Sequence, residues 1–313
     1  MKVIRTVLGD IDASELGFTA AHEHVFMDPT GHGKPDNDWS LYDWNKQLQA
    51  LKEFKAVGGE TVVDATCALN LGRDVARMYT ASIQSGVKII ASTGLVMVNN
   101  PITKEFMAAM EKEMTPTQLT DYYIRQVTEG MDGTNIKAGW YKGGSDYCNI
   151  HPLQEKVLRA IVRASKVTGA PVHCHTDTGT FALEQVAIAK SEGMDLTNYC
   201  VAHIDRNMDY WVHKKVLDQG CYIIYDGIGK VKYYPDSMRV EFLRRLVEEG
   251  YGKKIMLSMD MGKRSSHTVY GAGPGWGYIK TTFIPRLLDE GFSQETIDDF
   301  TINNPANFYS LKA

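Results

Sequence analysis

The 313-residue sequence predicts a (β/α)8 barrel on three observations: eight short apolar runs, segments of helical spacing between them, and glycines that separate each segment from the next run. The runs span residues 18–25, 61–65, 87–93, 136–142, 171–175, 199–203, 221–226 and 254–260. Runs of this length, flanked by turn residues, suit parallel strands buried on both faces. Eight successive right-handed βα units close most simply into a barrel. An open doubly wound sheet would more often carry a glycine-rich phosphate loop after its first strand, and no G-x-G-x-x-G follows residues 18–25.

The intervening segments carry matching start and stop signals. Thr115-Pro116 places a capping residue before a first-turn proline. After Pro152, residues Leu153, Val157, Leu158, Ile161 and Val162 follow a 3.6 period and face one core. Gly58, Gly86, Gly130, Gly169, Gly193, Gly220 and Gly250 each stand where a helix would end before the next run. The tail after about residue 293 reads as one or two closing helices. With no internal repeat, linker or charge block, residues 1–313 are expected to form a single barrel domain.

Composition narrows the function classes. Hydrophobic residues at 43% and charged residues at 23% are globular proportions, so a sizeable core is expected. A net charge of −4 lacks the basic excess of a general nucleic-acid binder. No apolar stretch of about 18 residues and no leader-like N-terminus occur, which disfavours membrane spanning and secretion. Cys67, Cys148, Cys174, Cys200 and Cys221 make an odd set without C-x-x-C, as expected of reduced thiols in the cytoplasm.

His22-Glu23-His24 is the strongest local signal, because strand alternation sends both imidazoles to one face and Glu23 to the other. Two neutral imidazoles can hold one metal ion, although H-x-H alone is equally a paired polar histidine. Other runs end in further candidate ligands: Lys142, His175, His203 and Asp260. Singly these read as a solvated loop lysine, two satisfied histidines and a turn cap. Jointly they converge, since every barrel strand opens its carboxyl end on the same face, where barrel active sites are built.

Lys142 is the odd member, because an ammonium group has no lone pair for a cation. Reaction of its amine with carbon dioxide gives a carbamate, an anionic two-oxygen group able to bridge two ions. Lys137 is the rival, but it stands at the start of its run with opposite parity. Strand alternation turns Cys174 away from the proposed metal face, and His173 lies on that face but deeper.

Together these segments resemble the phosphotriesterase-like branch of the amidohydrolase superfamily. The resemblance runs over nearly the whole chain. It rests on Gly17-Phe18-Thr19-Ala20-Ala21-His22-Glu23-His24, Gly72-Arg73-Asp74, Ala91-Ser92-Thr93-Gly94-Leu95, Lys137-Ala138-Gly139-Trp140-Tyr141-Lys142, Pro171-Val172-His173-Cys174-His175-Thr176, Leu257-Ser258-Met259-Asp260 and Asn304-Pro305-Ala306-Asn307-Phe308. It implies two divalent metal ions, usually zinc, with manganese or cobalt as alternatives. His22, His24 and Asp260 would hold the buried ion, His175 and His203 the exposed one, and N6-carboxylysine at Lys142 would bridge them. A water between two cations becomes a hydroxide nucleophile near neutral pH, and Asp260 would shuttle its proton to the leaving alkoxide.

Cations follow the seventh and eighth runs: Lys230, Lys232, Lys263 and Arg264, with Tyr233 and Tyr234 between. Phosphate sites in barrels often occupy this sector, although solvated loop charge is the plain alternative. The segment from Ile228 to Asp236, with Lys263-Arg264-Ser265, looks like the subgroup of phosphorylated sugar lactonases. By that resemblance the substrate is a small molecule, an aldono-1,4-lactone 5-phosphate, with Lys232, Arg264 and Tyr278 on the phosphate. A homodimer is implied on the same ground. Residues 271–277, with four glycines and a proline, read as a flap over the site or a long turn.

Other functions stay open at this level. A phosphotriesterase or N-acyl-homoserine lactonase would use the same centre with a more apolar groove. A deaminase would not normally need the lysine, and a silent barrel would show no metal-dependent turnover.

Overall fold

The computed structural model describes residues 2–29, 37–95 and 112–312. Among them, eight strand positions each lead to a helix, as the apolar runs predict. The barrel strands are β3 (Thr19–Glu23), β4 (Thr61–Asp64), β5 (Lys88–Ile90) with β6 (Ser92–Gly94), β7 (Trp140–Ser145), β8 (Val172–Thr176), β9 (Tyr199–Val201), β10 (Tyr222–Tyr225) and β11 (Ile255–Leu257). After them come α1 (Trp44–Ala56), α2 (Val75–Ser85), α3 (Pro116–Thr128), α4 (Pro152–Thr168), α5 (Ala182–Ser191), α6 (Tyr210–Asp218), α7 (Asp236–Glu248) and α8 (Ile284–Asp289). Helices Gln294–Asp298 and Asn304–Phe308 close the chain. The chain is a (β/α)8 barrel.

The strand predicted over residues 87–93 divides at Ala91. Its first half, β5, pairs with β4, and its second, β6, pairs with β7. Parallel pairing then runs unbroken from β6 to β11. The fourth strand also differs from expectation: it runs to Ser145, so Lys142 lies inside it and not at its end. The predicted run stops at Lys142, short of Gly143 and Gly144; a Cβ on Gly143 would sit 2.5 Å from Cys174 Sγ, so close strand packing needs glycine there.

Alternation sorts each strand between two cores. Tyr222 and Ile224 point inward with Ala21, Val63, Trp140, Cys200, Met256 and Tyr309. Ile223 and Tyr225 point outward, where helix side chains such as Leu243 and Leu246 cover them. Burying such a side chain stabilises the fold by roughly 1.5–3 kcal/mol. The sequence reading did not foresee the amino-end cover, a sheet of β1 (Val3–Thr6), β2 (Gly9–Asp12) and β12 (Ser310–Leu311). Val7 N donates to Ile89 O at 2.9 Å, tying that sheet to the barrel floor.

Side chains complete the seam between β11 and β3. One backbone bond crosses it, Asp260 N to His22 O at 3.1 Å. Ser258 Oγ accepts from His22 N at 2.8 Å, and its single proton faces both His22 O at 2.8 Å and Glu23 Oε1 at 2.7 Å. Fully buried Glu23 accepts from Ser258 Oγ, Met259 N, Met261 N and Trp276 Nε1 at 2.7–3.0 Å. That seam fixes the backbone on both sides of Asp260. Among the described residues no helix is long and apolar enough to cross a membrane.

Candidate metal centre

The carboxyl mouth of the barrel gathers the residues that the sequence singled out. A register irregularity of β3 against β4, between Ala20 and Glu23, turns His22 inward although Ala21 also faces the inner core. His22 Nε2 then lies 3.1 Å from Lys142 Nζ and 3.7 Å from Asp260 Oδ1. His24 Nε2 is 3.3 Å from the same carboxylate oxygen. The rings of His22 and His203 are 4.6 Å apart, and those of His203 and His175 are 4.4 Å apart. Each of the six candidate ligands thus adjoins at least one other.

Local backbone supports the placement. His203 and Asp260 adopt left-handed conformations, with φ of 60° and 48°, at the ends of strands six and eight. Non-glycine residues hold such angles only where surrounding bonds enforce them, and such strain concentrates at functional sites. Here the Glu23 and Ser258 bonds do so for Asp260. His203 is held by Asp226, which accepts from its backbone N at 3.1 Å and from Nδ1 at 2.7 Å.

Electrostatics decide what these groups can bind. Burial pushes His22, His175 and His203 well below the ordinary histidine range, so each is a neutral imidazole with one lone pair. His203 donates its Nδ1–H to Asp226, which leaves Nε2 bare. His175 Nε2 is buried with no hydrogen-bond partner among the described residues. Burial raises Asp260, but Lys230 and Arg206 outweigh it and hold the carboxyl well below its usual value. Lys142, 1% exposed, is lowered by burial to about 8, which favours the uncharged amine that can react with carbon dioxide. Bare imidazole nitrogens, an orphaned buried donor atom and an ionised carboxylate fit divalent cations.

Two members of the cluster went unrecognised in the sequence. Asp226, with His22 and His203, forms one group of potential ligands, beside the group His22, His24 and Asp260. It ends the run 221–226, so its position at a strand's carboxyl end was a usable signal. Arg206 bonds both Asp260 Oδ2 and Asp226 Oδ1 and stacks on Tyr233, 4.9 Å from its ring centre. Nothing in the sequence marked it. Lys230, counted earlier only as a loop cation, donates to Asp260 Oδ2 at 3.2 Å.

The residues expected on a phosphate each have a protein partner. Arg264 Nε donates to Ser40 O at 2.6 Å, Tyr278 Oη donates to Asp236 Oδ2 at 3.2 Å, and Lys232 lies 4.7 Å above the Tyr233 ring. Of the three, only Lys232 shares a partner with Arg206 beside Asp260. In the segment 271–277, Trp276 is buried and bonded to Glu23, so its end is anchored to the seam.

A barrel that presents neutral imidazoles and the ionised carboxylate of Asp260 on one rim is built for hydrolysis with divalent cations, which defines the class as a metal-dependent hydrolase. The chain belongs to the phosphotriesterase family, whose pattern matches residues 2–309. It is similar to a lactonase from Listeria monocytogenes, with a TM-score of 0.92 and 36% identity, covering 99% of this chain and 100% of that one. It also resembles the phosphotriesterase homology protein of Escherichia coli, solved with phosphate in its active site. There the TM-score is 0.88 at 33% identity, over 95% and 99% of the two chains. A curated relative, the phospho-furanose lactonase of Mycoplasmopsis synoviae, is 32% identical over 97% of this chain and 90% of its own.

Proposed function

We propose that the protein hydrolyses a phosphorylated sugar lactone, an aldono-1,4-lactone 5-phosphate. One observation carries the reading: a cluster of potential metal ligands has cationic side chains, Arg206 and Lys230, bonded directly to its carboxylate Asp260. Cations on that rim suit an anionic substrate better than an apolar ester. The similarity to a phospho-furanose lactonase and to a barrel solved with phosphate in its active site supports the same substrate class.

His22, His24 and Asp260 would hold one cation and His175 and His203 a second, with Lys142 as its carbamate between them. Such ions polarise an ester carbonyl and acidify water. Asp260 takes the proton of the attacking water as a bond forms to the ring carbonyl carbon. When the ring C–O bond breaks, Asp260 returns that proton to the departing alkoxide, giving a hydroxyl and a carboxylic acid that ionises in water. Arg206 and Lys230 keep Asp260 ionised for the first transfer. Lys232, Arg264 and Tyr278 remain the candidates to bind the phosphate.

A pH-indicator screen of matched phosphorylated and free lactones, beside simple phosphotriesters and an N-acyl-homoserine lactone, tests the reading. Two charged hydrogen bonds to phosphate favour the phosphorylated member by about 100-fold in kcat/KM. Equal rates on both members, or faster turnover of phosphotriesters, would assign the centre to another substrate.

A further inference from the structure

A buried chain of hydrogen bonds runs from the candidate metal centre to Tyr309, which caps the helix Asn304–Phe308 just before the last strand. Tyr309 has one phenolic proton and donates it to Ala21 O, an acceptor only, at 2.8 Å. Tyr309 Oη also lies 3.0 Å from His173 Nδ1. With its proton already committed, Tyr309 can only accept there, so a neutral His173 carries its hydrogen on Nδ1. His173 Nε2 is then a lone pair, and it lies 3.0 Å from His22 Nδ1. His22 must therefore donate from Nδ1, which leaves its Nε2 bare.

One further contact agrees with that assignment: Lys142 Nζ, which carries N–H hydrogens as amine or ammonium, lies 3.1 Å from His22 Nε2, as suits a lone pair there. Trp140 stacks on His173 with ring centres 4.7 Å apart and planes 23° apart, so the ring cannot turn over freely. Trp140, His173 and Tyr309 are all fully buried.

We infer that Tyr309 and His173 are positioning residues that lock His22 as its Nδ1–H tautomer, presenting an unprotonated Nε2 to the metal centre. The inference rests on the proposed reading that His22 is a metal ligand. It assigns to the end of the closing helix Asn304–Phe308 a part in the chemistry at the carboxyl mouth of the barrel. Solution imidazole favours the Nε2–H form, which would point a proton at the cation, so the lock removes a tautomer change from metal binding.

Long-range 1H–15N correlation spectra of metal-free, 15N-histidine-labelled protein test the lock directly. The rings of His22 and His173 should both carry their proton on Nδ1. An Nε2–H form at either ring overturns the inference. In Tyr309→Phe, His173 loses the partner that fixes it, and cobalt(II) affinity should fall about 10–100-fold with a mixed tautomer signal at His22. Unchanged affinity and an unchanged His22 signal in that variant also overturn it. Should Tyr309→Phe not fold, the wild-type spectrum still decides. Because the spectrum needs neither metal nor substrate, failure of lactone hydrolysis would sink the proposed function and leave the tautomer result standing.

Discussion

Lys142 is where burial and metal chemistry meet. Its ammonium form is disfavoured in the barrel interior, and an ammonium cannot ligate, so carbamate formation answers both problems at once. Lys142→Ala should lower divalent-metal affinity at least ~10-fold, measured by equilibrium dialysis, and short carboxylates in the buffer should restore part of the activity. A fully metallated, fully active alanine variant would remove the lysine from the account. Metal-free protein offers a second check through pH. Lys142 drops from the ordinary 10.5 to about 8, so between those values the unfolded chain holds more protons, and stability rises with pH by ~3 kcal/mol. Below about pH 8 the buried charge costs that amount in full. Urea midpoints of wild type should therefore climb across this window relative to Lys142→Met; parallel curves would mean Lys142 is not so perturbed. At this scale strand position and parity singled out His22, His24, Lys142, His175, His203 and Asp260 in the sequence, and the fold sets each of them beside another. Arg206 escaped because it follows His203 on a turn whose direction no periodicity reports.

At the scale of elements, the seam between β11 and β3 does what a ladder does elsewhere. Four hydrogen bonds converge on Glu23, three of them from residues beside Asp260 or at the anchored Trp276. Glu23→Gln puts an amide donor where only acceptors fit, leaving buried N–H groups facing it. Chemical denaturation should show a loss of about 2–4 kcal/mol, with activity reduced further because Asp260 is freed. A variant as stable as wild type would show that the backbone alone closes the barrel. Gly143→Ala tests the neighbouring strand: its Cβ would press on Cys174 Sγ, and a loss of about 1–3 kcal/mol in the same assay is expected. These packing reasons explain what the sequence hid. The apolar run stops at Lys142 because the glycines after it carry no apolar side chain, while here Gly143 allows β7 to run on beside Cys174. The break at Ala91 and the sheet β1–β2–β12 depend on contacts between distant segments, which local pattern does not encode.

Across the whole molecule, the barrel converts sequence distance into proximity. His22 and Asp260 are 238 positions apart in the chain yet share a hydrogen-bonded seam. The eight alternating runs made that architecture readable, because parallel strands buried on both faces are apolar throughout and each is followed by one amphipathic helix. The substrate was less readable, since Arg264, Tyr278 and Lys232 each already have protein partners in this structure. Arg264→Ala should raise KM for phosphorylated lactones far more than for free ones; equal effects would move the phosphate elsewhere. The central claim is a pair of cations joined through Lys142, and metal counting tests it most directly. Elemental analysis of protein reconstituted with zinc and bicarbonate should give about two ions per chain, falling to one or fewer in Lys142→Ala along with turnover. Full activity in wild-type protein that binds one ion or none would contradict it.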